Sequence, residues 1–266
     1  MKTSAYIGRV AVAVTILAAG AAAAQIAGVI TTLEGKTVSG SIRWKIKEKA
    51  YAVTANNVEL DVALANVKEL QVPKPKELDA AIASVAQGNV EAAIPTLEKI
   101  SGDYLMLQWG KIATRQLAEA YVKIGQADKA IRVCERNIAS NPEDAYLGEM
   151  APAYWQALLK ADRASKVDEL LAKAIKSGDR GASAAALTMR GDIVLATGET
   201  GDIAKKALRD GYLRVVTLYK SEKAAQPEAL YKAAKCFEKI GQASRADQMR
   251  TTLKSDFGAS EWARKP

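Results

Sequence analysis

A turn that keeps returning restricts this fold more than any other feature. Gly88, Gly125, Asp162, Gly198 and Gly241 each break a run of apolar-periodic residues, about every 36–43 positions, the period of stacked helix hairpins. The flanking segments, "SVAQGNVEAAIPTLEKI", "AYVKIGQADKAIRVCERNI", "ALLKADRASKVDELLAKAI" and "CFEKIGQASRADQMRTTL", carry one apolar stripe each. Such a unit cannot bury its stripe alone and stacks on the next. The class is therefore mainly α, four to five hairpins over residues 74–266 forming a curved solenoid.

Residues 25–73 follow a different rule. Alternation in "TVSGSIRW" and "AYAVTA", broken at "LEGK", "KIKEK" and "ANN", predicts about five short strands. Gly35 and Gly40 supply the backbone freedom of turns and bulges. "PKPKE" at 73–77 ends the β pattern, because proline removes a donor and restricts the residue before it. Ahead of all this, residues 1–24 place Lys2 and Arg9 before an apolar run ending in Ala22 and Ala24, the order of a secretory signal cut after Ala24. Retention of that segment as an anchor is the alternative, although its apolar run falls short of the roughly 20 residues that span a bilayer. No cysteine is near the cut, so lipid attachment there is excluded. The expected location is periplasmic or secreted.

In the second unit Leu117, Ala118 and Tyr121, then Gly125, Ala130 and Pro142, stand where the tetratricopeptide repeat family has its first-helix residues, turn glycine, small second-helix residue and terminal proline. Cys134 replaces the usual aromatic. The last unit resembles the family in the same way through Ala234, Phe237, Gly241 and Ala246. The third unit departs from the pattern, with Trp155 at a small-residue place and Asp162 for the glycine, and the fourth inserts "GETGDIAKK" between its helices. The resemblance implies a right-handed superhelix and a groove that holds part of another protein. The segment "TLEGKTVSGSI" with "VALANVKELQVPKP" resembles the SH3-like or Sm-like β modules at the N-termini of bacterial envelope proteins. That implies either a cap or a binding module.

Family grooves suggest where to look for a site. In the second unit the groove face carries Arg115, Glu119 and Lys123. An acid stands where a carboxylate clamp would place asparagine, so that clamp is not expected. In the last unit Tyr231, Lys235 and Lys239 share one face at helical spacing, suited to an acidic or aromatic peptide. In the β module, Trp44 and Tyr51 offer an aromatic surface for cell-wall fragments, the alternative function. Tyr104, Met106, Trp109 and Trp155 read as inter-repeat core, or as an apolar patch if exposed.

Several chemistries are disfavoured by what the chain lacks. It has no histidine, which removes imidazole ligands and His-dependent triads. Cys134 and Cys236 lie several repeats apart, too far for a bridge in a solenoid. Ser183 has no base partner that the sequence proposes, "GKT" at 35–37 lacks a phosphate loop, and "RGD" at 190–192 falls inside a helix with Gly191 as a packing residue. Glu143 and Asp144 suit a helix start. Without residues 1–24, which hold two basic and no acidic side chains, 36 Lys and Arg face 30 Asp and Glu. That excess favours loose peripheral attraction to anionic surfaces, and no basic stripe with aromatics points to nucleic acid. The expectation is a non-catalytic envelope scaffold with no cofactor or metal, a protein partner and no stable membrane insertion once the signal is cut.

Overall fold

The computed structural model describes residues 26–265; the signal-peptide reading of 1–24 lies outside them. Five antiparallel strands come first: β1 (Ile26–Thr32), β2 (Thr37–Lys45), β3 (Ala50–Ala55), β4 (Val58–Ala63) and β5 (Val67–Gln71), in the order β4-β3-β2-β1-β5. The β3–β4 hairpin closes through Asn56 and Asn57 at φ 49° and 62°, the double left-handed turn that asparagine tolerates. Gly40 is not a turn residue. It sits mid-strand opposite Gly28, where a Cβ would lie 2.4 Å from the Thr54 carbonyl oxygen.

Helices follow in pairs: α1 (Leu78–Ala86) with α2 (Val90–Asp103), α3 (Gln108–Lys123) with α4 (Ala127–Ser140), and α5 (Ala151–Lys160) with α6 (Ala164–Lys176). Then α7 (Arg180–Ala196) faces α8 (Gly201–Ala207) and α9 (Leu213–Leu218), and α10 (Gln226–Lys239) pairs with α11 (Ala243–Phe257). Four of the hairpin turns share one geometry. The amides of Asn89, Gln126, Arg163 and Gln242 donate to the carbonyls of Ser84, Tyr121, Leu158 and Phe237, each five residues back. The preceding residue donates three residues back in every case, completing a Schellman motif. Its left-handed position is Gly88, Gly125, Asp162 or Gly241, with φ of 90°, 75°, 57° and 73°.

The motif explains why glycine recurs and what its replacement costs. A Cβ in the left-handed region is disfavoured by roughly 1–2 kcal/mol, less for aspartate. Asp162→Gly should therefore raise the thermal midpoint by up to about 2–4 °C, while Gly125→Ala lowers it by a similar amount. Parallel melting curves of the two variants check the opposite signs.

The fourth hairpin differs. Gly198 takes φ 156°, and most of the expected "GETGDIAKK" insertion is helical, because the Thr200 side chain accepts from the Ile203 amide and starts α8 at Gly201. One π turn, Leu208–Tyr212, joins α8 to α9. There α7 and the π turn meet through two glycines: a Cβ on Gly211 would lie 2.8 Å from Gly191 Cα, and one on Gly191 would lie 2.5 Å from the Tyr212 ring. The "RGD" tripeptide is thus part of α7, its glycine under an aromatic ring. Asp192 accepts from Tyr212 Oη and Lys232 Nζ at 2.7 Å each.

Sheet and helices share a core. Ile30, Ile42, Trp44, Tyr51, Val53, Val62 and Val72 pack with Met106 and Leu107 from the α2–α3 connection. Three aromatic side chains bridge the two parts. Trp44 Nε1 donates to Ser140 Oγ at 3.0 Å, Tyr51 Oη to the Met106 carbonyl at 2.7 Å, and Trp109 Nε1 to the Val72 carbonyl at 3.0 Å. Met106 holds a left-handed φ of 61° while it presents that carbonyl. Trp155 is fully buried and donates to the Ala145 carbonyl at 2.8 Å; Met106 is buried too, while Tyr104 and Trp109 are partly buried against the core.

Candidate functional site

The first helices of successive hairpins turn one face inward. Counting back from Gly125, Asp162 and Gly198, the sixth position is Glu119, Gln156 and Asp192, and the tenth is Arg115, Pro152 and Thr188. These six residues line one concave cavity of about 690 Å³. Its floor is made of small or flexible apolar groups, Ala153, Ala182, Ala185 and Met189, and Glu149, Asp179, Glu222 and Glu228 add carboxylates around it.

Arg115 stands between two carboxylates without a close bond to either. Its Nε is 4.0 Å from Glu119 and its Nη1 is 3.7 Å from Glu149, and Nε is buried with no hydrogen-bond partner among the described residues. Burial raises the Glu119 carboxyl above its ordinary range, Arg115 and Lys123 pull it down, and Glu261 pushes it up. A raised carboxyl pKa means that the ionised form is penalised in the fold: the cost is present above the folded pKa and gone below the unfolded one. Glu119→Gln should therefore stabilise the protein at neutral pH, and that gain should vanish as pH falls into the ordinary glutamate range. Thermal melts across pH measure it.

Deeper in the wall, α7 and α10 are tied by charge. Lys232 Nζ lies 2.7 Å from Asp192 and 2.5 Å from Glu228. Burial lowers its pKa, but the two carboxylates outweigh burial and the net shift is upward.

The expected site residues divide. Arg115 and Glu119 line the cavity. Lys123 is exposed in the last turn of α3, beside a shallow surface depression with Gly88 and Glu91, and Lys239 is exposed in the last turn of α10; both positions suit the negative end of a helix. Tyr231 stacks with Trp262 at a ring separation of 5.5 Å, so the segment after α11 covers that part of the face. Lys235 is exposed, its Nζ 5.7 Å from the Tyr231 ring, and does not line the cavity. Trp44 and Tyr51 are no surface: they are 9% and 3% exposed, because the helical region sits on that side of the sheet. Sequence reasoning missed Glu149, Gln156, Asp179, Asp192, Glu222 and Glu228. Lining up the sixth and tenth positions in the second, third and fourth units reveals Gln156 and Asp192, whereas the same positions of the first and last units lie outside the cavity.

Reactive groups are otherwise occupied. Cys134 and Cys236 are free and lie in separate buried clusters, their thiols pushed by burial up to about 12 and about 11. Ser183 Oγ donates to the Asp179 carbonyl at 2.7 Å. Asp144, expected at a helix start, is buried and accepts from Lys111 Nζ at 2.8 Å and Asn141 Nδ2 at 2.9 Å. Among the described residues no group of three or more side chains could hold a metal, and no helix is long and apolar enough to cross a membrane.

Residues 228–257, most of α10 and all of α11, match the tetratricopeptide repeat family. The last hairpin is similar to a tetratricopeptide repeat. That match and the mostly helical architecture support a tetratricopeptide repeat protein, in which the matched hairpin shares its Schellman turn with three others. No curated protein and no solved structure matches the chain.

Proposed function

We propose that the protein is an exported, non-catalytic scaffold whose concave groove holds a segment of another cell-envelope protein. The observation that carries this reading is the cavity itself. Four successive inner helices, α3, α5, α7 and α10, contribute to one continuous wall, and tetratricopeptide repeats generally serve protein–protein contact. Envelope assembly, secretion and appendage biogenesis would all fit such a scaffold. The strand order, with a single 3-10 turn at Leu64–Asn66 before β5, supports an SH3-like module acting as a cap. The wall-binding alternative loses its aromatic pair to the core.

The test is photocrosslinking in cells with the full chain, placing the probe at Gln156, which lines the cavity, or at Glu169 on α6. The exported pool should yield an envelope protein crosslinked through Gln156 and not through Glu169. Equal capture at both positions, or none at Gln156, overturns the reading.

A further inference from the structure

We infer that the segment held in this groove is cationic, an extended stretch with Lys or Arg side chains set among small ones. This rests on the groove reading above and adds the chemistry of the occupant. The sign of the cavity opposes the sign of the chain. The protein carries a formal charge of +8, yet its cavity is lined by Glu119, Glu149, Asp179, Asp192, Glu222 and Glu228 against only Arg115 and Lys223.

Two cations close to the wall, Lys232 and Arg180, are already held in ion pairs. Lys232 is held by Asp192 and Glu228. Arg180 binds Glu222 at 3.1 Å and the Leu218 carbonyl at 2.9 Å, and Lys223 lies 5.8 Å from the Phe257 ring. An acidic peptide would therefore meet excess carboxylate with little free positive charge to offset it. A basic one gains chiefly from Glu119 and Glu149, which Arg115 meets only at 4.0 and 3.7 Å, and even with Lys232 and Arg180 counted the six carboxylates outnumber the cations in a concave site where charge complementarity sets both orientation and encounter rate.

The face that would have suited an acidic or aromatic ligand is occupied by the chain itself. Trp262 packs on Tyr231, its ring 5.6 Å from Lys232 Nζ and 3.4 Å from Lys265 Nζ. What stays open is the acidic wall over a floor of Ala153, Ala182 and Ala185. Such a floor leaves room for a backbone to lie close, so its occupant needs small side chains there and long charged ones toward the rim.

Fluorescence anisotropy with the full chain tests this, using a labelled octapeptide of alternating alanine and lysine and its alanine–glutamate counterpart. The lysine peptide should bind about tenfold or more tighter, and raising salt should erode most of that difference. Glu149→Lys with Gln156→Lys should weaken the lysine peptide about fivefold or more, whereas Glu169→Lys outside the cavity should leave it unchanged. Equal or tighter binding of the glutamate peptide, no binding of either, or equal loss in the Glu169 variant overturns the inference. The two readings fail separately: a partner trapped through Gln156 without lysine preference sinks only the charge assignment, and lysine preference without a trapped partner sinks only the scaffold reading.

Discussion

Gly110→Ala loosens the junction between sheet and helices, lowering stability by about 3 kcal/mol and the melting midpoint by roughly 6–12 °C. The sign is the reverse of the usual one, because alanine in a helix ordinarily gains up to about 1 kcal/mol over glycine. Here a Cβ would lie 1.9 Å from the Tyr104 carbonyl oxygen and 2.6 Å from its carbon. Both are backbone atoms that no rotamer change can move. The displaced segment, Tyr104–Leu107, also carries the carbonyl that receives Tyr51 and two side chains of the shared core. Gly102, in the middle of the preceding helix's last turn, has nothing within 4 Å of its Cβ position. Gly102→Ala is therefore the matched control, and it should leave the midpoint unchanged or raise it. Thermal denaturation of the two variants side by side measures the contrast.

Trp44→Ala should cost about 3–5 kcal/mol, the range for removing a buried large aromatic. The side chain pairs directly with Tyr51 across β2 and β3, at a ring separation of 4.9 Å, and its indole nitrogen reaches Ser140, 96 residues along the chain. Its loss opens a cavity at the junction and leaves the Ser140 hydroxyl without that donor. Trp44→Phe keeps most of the burial and should cost only about 1–2 kcal/mol. In Trp44→Ala, denaturation followed separately by a probe in the sheet and by helical circular dichroism should resolve two transitions where the parent shows one. A surface aromatic of a free-standing wall-binding module would leave the midpoint nearly unchanged.

The parts of this fold that were legible in the sequence are those decided locally. "TVSGSIRW" and "AYAVTA" became β2 and β3, because alternation and the asparagine turn act within a few residues. The turn markers were legible for the same reason: Asp162 was placed with the glycines by spacing, and its positive φ shows why that spacing matters. What escaped depends on distant partners. Whether Trp44 and Tyr51 face water is settled by Ser140 and Met106, far along the chain, and strand alternation is silent on what covers a face. The π turn arises where Gly211 meets Gly191, a contact that no window of sequence reveals. The family groove points to Lys123 and helical spacing to Lys239, but a shared face specifies an angle and not a height: Lys123 sits one turn beyond Glu119, and Lys239 about three turns beyond Glu228. Tyr231 was placed on the inward face, and the segment bearing Trp262 folds back over it.

Hydrogen–deuterium exchange on the full chain, alone and with the protein captured through Gln156, shows whether binding resides in the concave wall of the helices, as proposed. New protection is expected in α3, at 148–160 and at 179–192, with β2, β3 and β4 unchanged. Protection confined to the strands at 37–63, with those inner helices unaltered, would contradict it and make the repeats a support for the β module.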